Sequence, residues 1–323
     1  MELAFSDEQL ALRDTVRDLL SRECPPSVVR AAWHNDTGRA DAAWRRLAEV
    51  DVLAVGAPEP GGLGLGMVDL VLALEEAGRA ALPEPLVEHA AVSAPILGVI
   101  DGTATASAPG ADLVPYAGSA DVVVFVTDHG VHSVPRSEIS PRPVPALDGS
   151  RRLFEVDWAP TSQTRHDVDP IGAFDRGALG TAAVLVGLSS HLLDVTVEYT
   201  TQRRQFGAPI GSFQAIKHHL ANVAIALEFA RPHVWRAAWS IDHHDAQASA
   251  HVSMAKAQAS DAAELAARVA LQCHGAIGYS DEYDLHLWMK RVWALAAAWG
   301  SAAEHRERVA RAILDPPQGA ADA

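Results

Sequence analysis

From Pro170 onward the chain repeats its apolar residues every three or four positions, and that rhythm commits it to long helices packed face to face. Leu185, Leu188, Leu192, Val195 and Tyr199 mark one buried stripe, and Phe213, Ile216, Leu220, Val223 and Leu227 mark another. Ala255–Leu271 is a third segment, rich in alanine and so high in helix propensity. Together they predict an antiparallel four-helix bundle over residues 171–315, followed by a tail at 316–323.

The first hundred residues are also helical in pattern. Ser6 and Gln9 form a capping box, Asp7 and Glu8 suit the positive end of the helix dipole, and Leu12, Val16, Leu19 and Leu20 carry a stripe to about Arg22. Phe5 and Leu10 are spaced for a hydrophobic staple. Further helices fit Asp41–Val50 and Met67 to about Ala80. Between these two lies Pro58–Gly66, dense in glycine. A phosphate loop needs a strand before it and a Lys-Ser/Thr pair after its glycines, so this stretch reads as a turn between helices.

Residues 101–170 have a different texture, with short β-branched runs among Gly, Pro, Ser and Asp. Asp121–Thr127 reads as a buried strand, Gly130–Pro135 as its hairpin partner, and Arg152–Trp158 as another strand. The expected fold is therefore α+β, mostly α: an N-terminal helical domain (1–100), an abbreviated β-domain (101–170) and the helical bundle.

The charge balance narrows the partners. With 41 acidic against 26 basic residues the formal charge is −15, which opposes binding to nucleic acid. Cys24 and Cys273 form neither a metal spacing nor a disulfide framework, so no metal is expected. No basic start followed by an apolar run marks a signal peptide, and no uninterrupted apolar run is long enough for a bilayer. The expectation is a cytoplasmic protein without a membrane partner.

Two segments carry chemistry. Glu198–Gln214 places arginines at the end of one helix, then a Gly-Pro turn, then the start of the next, where Ser212 can cap. Arginine beside free backbone N–H groups suits an anion, although an arginine at a helix C-terminus also simply balances the dipole. Gln272–Arg291 ends a helix in glycines that permit close backbone approach and begins a new helix near Asp284. His274 lies there without a second ligand at metal spacing, which favours a packed or hydrogen-bonded role.

Together these segments resemble the acyl-CoA dehydrogenase family, whose bundle carries Tyr-x3-Arg-x-Gln-Phe-Gly and later Gln-x-His/Phe-Gly-Gly-x-Gly-Tyr. Phe5–Gln9, Pro58–Gly66 and Leu147–Arg152 look like further landmarks, so the resemblance spans nearly the whole chain. It implies FAD as cofactor and α,β-dehydrogenation of an acyl-CoA thioester. By the same resemblance Arg203, Gln205, Phe206, Gln214, Gln272, Gly275 and Ala276 are the cofactor-binding positions, reaching a flavin across a subunit interface. Ala276 departs from the family's second glycine and puts a methyl group in the cradle.

Other departures matter as much. Many members carry a glutamate base just before a glycine near the C-terminus, where this chain reads Ala296-Ala297-Ala298-Trp299-Gly300-Ser301. A second base location falls on Phe174-Asp175-Arg176-Gly177, making Asp175 the base candidate with Arg176 in support. The competing reading is that Asp175 caps its helix; Glu282 aligns with a structural carboxylate. The flavin-ring stretch of the β-domain is replaced by Thr103–Ala111.

The chain thus keeps the half-site it lends and lacks the half-site it would use. That pattern resembles the shortened subunits of heteromeric actinobacterial, sterol side-chain type acyl-CoA dehydrogenases. It implies a longer homologous subunit in an α2β2 assembly, and an electron-transfer flavoprotein as acceptor. A non-catalytic partner that completes another subunit's flavin site is the alternative, and a related flavin oxidase is a third.

Overall fold

The computed structural model of the protein describes residues 4–98 and 104–314. The expected tail at 316–323, the boundary at 100/101 and Thr103 lie outside the described residues. Helix α1 (Asp7–Glu23) opens with the expected capping box: Gln9 N–H donates to Ser6 Oγ at 3.3 Å and Ser6 N–H donates to Gln9 Oε1 at 2.9 Å. Helices α2 (Pro26–His34), α3 (Asp41–Glu49) and α4 (Met67–Arg79) follow. A π-helical segment at Val87–Ser93 then runs into the short α5 (Ala94–Leu97). Residues 58–66 are a turn, pinned when Leu63 N–H and Leu65 N–H donate to the carbonyls of Ala54 and Val55 at 3.1 and 2.9 Å.

Two helical segments escape the apolar rhythm for definite reasons. Pro25-Pro26 looks like an interruption, yet Pro26 opens α2, where its missing N–H costs nothing. Every residue of Val87–Ser93 is buried, so no polar face exists to set a period.

The β layer holds two small sheets. One orders its strands β1 (Ala106–Ser107), β3 (Val122–Thr127), β4 (Gly130–Pro135) and β7 (Arg165–His166). The β3–β4 hairpin pairs Val123 with Val134 and Phe125 with His132, as the sequence predicts. The other orders β2 (Val114–Pro115), β6 (Leu153–Glu155) and β5 (Arg142–Val144). The strand expected over 152–158 is thus shorter, and Trp158 instead stacks on Phe125 at 4.1 Å, closing a satellite core with Val114, Val134 and Ile139.

The bundle contains α6 (Pro170–Gln202), α7 (Gln214–Asp242), α8 (Ala248–His274), α9 (Leu285–Ala297) and α10 (Ala302–Leu314). Two glycines bring α4 and α6 into backbone contact. A Cβ on Gly187 would lie 1.9 Å from the Glu75 carbonyl oxygen, and one on Gly78 would lie 2.1 Å from that of Val184. The N-terminal helices and the bundle therefore share one core. Helix α6 has the length and hydropathy of a membrane span, but 78% of its most apolar window is buried inside the fold.

A buried ionic knot ties the β layer to both helical regions. Arg291 of α9 contacts Asp148 through Nε, donates to the Leu82 carbonyl oxygen at 2.7 Å, and donates to Ser150 Oγ at 2.6 Å. Arg151 faces Glu88 at 3.6 Å close by, and Arg39 pairs with Glu84 at 2.7 Å. The landmark stretch 147–152 is thereby a structural tether.

Candidate flavin site

Three helix ends meet at one pole of the bundle. Helix α6 closes when Arg203 N–H donates to the Tyr199 carbonyl oxygen at 2.8 Å. The chain then turns through a tiny hairpin, β8 (Arg204–Gln205) and β9 (Ala208–Pro209), whose tip holds Phe206 at φ +53° and Gly207 at φ +81°. Ile210 N–H donates back to the Arg203 carbonyl oxygen at 2.8 Å, so the hairpin is fixed to the helix end. A 3-10 turn, Ile210–Ser212, then delivers the chain to α7.

Ser212 does not cap α7, contrary to expectation. The intervening turn directs its hydroxyl to donate to the Pro209 carbonyl oxygen at 2.7 Å, and the helix starts at Gln214 with no side chain on its first N–H groups. Those free donors and the helix dipole face the pole. Gln214 is exposed and contacts His218 at 3.1 Å.

The C-terminus of α8 completes the arrangement. His274 stacks on Tyr199 with ring centroids 4.2 Å apart. Its Nδ1–H donates to the Ala270 carbonyl oxygen at 2.8 Å, and its Nε2 accepts from the Tyr283 hydroxyl at 3.3 Å. Burial holds the His274 pKa below the ordinary histidine range, so the ring is a packed neutral wedge, as expected. Gly275 follows at φ +65°, and a Cβ there would meet nothing within 4 Å. Gln272 and Ala276 are exposed beside it.

Arg203, Gln205, Phe206, Gln214, Gln272, Gly275 and Ala276 thus lie on helix ends that the Tyr199–His274 stack brings together. The Arg203 guanidinium has no carboxylate partner among the described residues, and the Phe206 ring is 93% exposed. A cation, free backbone donors, an aromatic ring and open space around a glycine suit a dinucleotide diphosphate and its ring. FAD fits this half of the site.

The other expected residues stand apart from it. Asp175 is not a helix cap: Asp169 caps α6, its carboxylate accepting from Ile171 N–H at 3.1 Å and Gly172 N–H at 2.9 Å. Asp175 instead lies inside α6, where one carboxylate oxygen accepts from Ser249 Oγ and the other pairs with Arg308 at 2.7 Å. Each oxygen carries one such contact and keeps a further acceptor site, and the carboxylate ties α8 and α10 onto α6. Asp175 and Arg176 both line a recess of about 490 Å³ with Asp169, His244, Asp245 and Ser249. Burial lowers the Arg176 pKa, opposed by Asp169, Asp242 and Asp175. Glu282 is exposed.

Within 296–301, in the loop after α9, Trp299 is completely buried, its indole against Gly110 and Gly177. Lys256 and His305 grip the same loop from behind. Sequence reading passed over these three residues. A tryptophan directly before Gly300, with a lysine and a histidine in otherwise alanine-rich surroundings, was the available signal.

A helical layer, a small β layer and a helical bundle whose pole carries Arg203, Phe206 and Gly275 define a mostly α protein with a half-site suited to a dinucleotide. Comparison with known sequences gives the particular family. The acyl-CoA dehydrogenase N-terminal domain matches residues 6–100, and the acyl-CoA dehydrogenase C-terminal domain matches residues 170–314. Acyl-CoA dehydrogenase IpdE2 of Mycobacterium tuberculosis is 34% identical, covering 96% of this chain and 99% of its own. The IpdE2 of Mycolicibacterium smegmatis is 32% identical, covering 94% and 98%. The ChsE4-ChsE5 complex of M. tuberculosis shares the fold at a TM-score of 0.85 and 20% identity, covering 98% of this chain and 100% of the matched one. Butyryl-CoA dehydrogenase of Megasphaera elsdenii does so at 0.81 and 20%, covering 97% and 100%. The chain belongs to the acyl-CoA dehydrogenase family, a family of FAD-dependent oxidoreductases.

Proposed function

We propose that this chain is one subunit of a heteromeric acyl-CoA dehydrogenase, in which it lends its bundle pole to a flavin seated chiefly in a longer homologous subunit. The observation that carries the reading is the outward-turned cradle. Phe206 at 93% exposure and Arg203 without a carboxylate partner among the described residues form no site alone, and both would be served by a flavin presented by a neighbouring chain. Similarity to chains from the ChsE4-ChsE5 complex and from the Tcur3481-Tcur3483 steroid ACAD supports a two-subunit assembly. It also supports steroid side-chain thioesters as the acyl-CoA class. An α2β2 arrangement, a cytoplasmic location and an electron-transfer flavoprotein as acceptor belong to the same proposal.

A bound FAD would supply the hydride acceptor for α,β-dehydrogenation of the thioester, with a carboxylate taking the α-proton. The contribution of this chain is positioning. Arg203 and the free N–H groups of α7 would hold the diphosphate, Gly275 would give it room beside the methyl group of Ala276, and Phe206 would shield an apolar face from water. Under this proposal the base belongs to the longer subunit, since in this chain Asp175 is paired with Arg308 and Ser249.

Co-expression tests this directly. The chain alone is expected to purify nearly colourless, and to gain flavin and dehydrogenase activity with its longer partner. Arg203→Ala should then release the flavin on dilution. A yellow, active homo-oligomer of this chain alone defeats the proposal.

A further inference from the structure

We propose that Trp299 is a built-in plug, whose indole fills within this chain a slot for a planar aromatic ring that would otherwise open onto the recess beside Phe174. The biological consequence rests on the heteromer reading above: a closed inner slot leaves the chain only its outer cradle to offer. The slot itself stands on geometry.

Two backbones yield to the indole from opposite elements. A Cβ on Gly110, in the loop before β2, would lie 2.5 Å from the ring, and so would one on Gly177 of α6. Neither position could carry a side chain while the ring is present. Remove the ring, and the space between loop and helix is bounded by glycine faces, the walls a flat ligand needs.

Phe174 stands between the indole and the surface. Phe174 meets Trp299 edge to face at 5.8 Å and also lines a recess of about 420 Å³ with Val126, Thr127, Ile171 and Arg308. The Arg308 guanidinium lies 5.0 Å over the Phe174 ring. Behind the indole, the chain is braced. Trp299 adopts φ +55°, a left-handed backbone unusual for a bulky residue. Lys256 Nζ donates to the carbonyl oxygens of Ala296 and Gly300 at 3.0 and 2.9 Å, and His305 Nε2–H donates to that of Trp299 at 2.7 Å. A buried lysine and a buried histidine thus hold three carbonyls of one short loop, and the product of that investment is the indole's position.

The test uses Trp299→Gly, which suits the left-handed backbone, with Trp299→Leu as the milder second variant. Indole and indoles bearing a butyl tail at different ring positions are titrated into each chain alone, followed by thermal shift. The variants are expected to melt lower than wild type, and indole is expected to raise their Tm saturably while leaving wild type unmoved. At least one tailed indole should bind as tightly as indole itself, with its tail in the recess. Failure of the folded variants to bind indole overturns the proposal. Rejection of every tailed indole does so too, because it identifies a sealed core cavity. Failure of both variants to fold even with indole present makes Trp299 ordinary core and also overturns it. None of these outcomes involves the partner subunit, so the plug can fail while the cradle reading stands.

Discussion

The phenol ring of Tyr199 lies nearly parallel to the imidazole of His274, with centroids 4.2 Å apart and planes inclined by 22°. This stack joins the C-terminal ends of α6 and α8, and with them the arm bearing Arg203 and the turn bearing Gly275. The Tyr199 hydroxyl reaches the His274 carbonyl oxygen at only 3.5 Å, so ring packing does most of the joining.

Tyr199→Ala should therefore loosen the cradle more than the fold. Aromatic pairs contribute about 0.5–1.5 kcal/mol beyond simple burial, a small share of the whole stability. The expected outcome is a modest drop in denaturation midpoint and a clear loss of flavin from the assembled complex. Tyr199→Phe should retain both. Flavin content after gel filtration, read beside urea denaturation, separates the two effects.

Asp175→Asn keeps the shape of the side chain and removes its charge. If the carboxylate binds Arg308 and Ser249 as the structure has it, turnover of the reconstituted complex should stay within about threefold of wild type. Stability should fall by roughly 1–3 kcal/mol as Arg308 loses its charged partner. Turnover abolished with flavin and stability intact would restore Asp175 as the base.

The bundle, the β3–β4 hairpin and the helix ends that carry the proposed cradle were legible because each leaves a local mark. Leu185, Leu188 and Leu192 keep helical spacing, Val122–Thr127 is a compact β-branched run, and Arg203–Gly207 and Gln272–Gly275 are contiguous strings. What escaped is what depends on distant parts of the chain. Arg291 finds Asp148 across 143 positions, and Asp175 finds Arg308 across 133. The role of Trp299 depends on glycines at 110 and 177, whose significance is the absence of a side chain. Ser212 was misread as a cap for a nearer reason: a 3-10 turn separates it from the helix it seemed to start.

The Arg291 knot should be the costliest polar site to damage. Its guanidinium is buried and shares its donors among Asp148, Leu82 and Ser150. Asp148→Ala leaves that charge without its carboxylate, at a cost of about 3–5 kcal/mol. Arg291→Met with Asp148→Leu removes both charges and should recover part of the loss. A double-mutant cycle in chemical denaturation checks both values.

His305 gives the pH dependence a clear sign. Its ring is buried between α10, α8 and the Trp299 loop, with Nδ1 facing Ser253 Oγ at 3.2 Å and Nε2 on the Trp299 carbonyl oxygen. Burial is the main cause that pushes its pKa down from 6.5 to about 4; the Trp299 contact opposes it, and nearby Lys256 and Arg308 outnumber Glu304. Between those values the unfolded chain binds the proton and the folded chain does not. The contribution is therefore fully present above pH 6.5 and is lost as pH falls toward 4, by about 1.4 kcal/mol per unit of depression. Buried His89 and His191 are also pushed down to about 4 and act in the same direction, while Glu75 and Glu84, raised to about 7, act oppositely, losing stability as pH rises. Comparison with His305→Gln isolates the group, since an amide can still donate to the Trp299 carbonyl oxygen without titrating. Denaturation at several pH values between 4 and 7 should show wild type losing stability relative to this variant on acidification, and parallel curves would mean that folding leaves the His305 pKa unshifted.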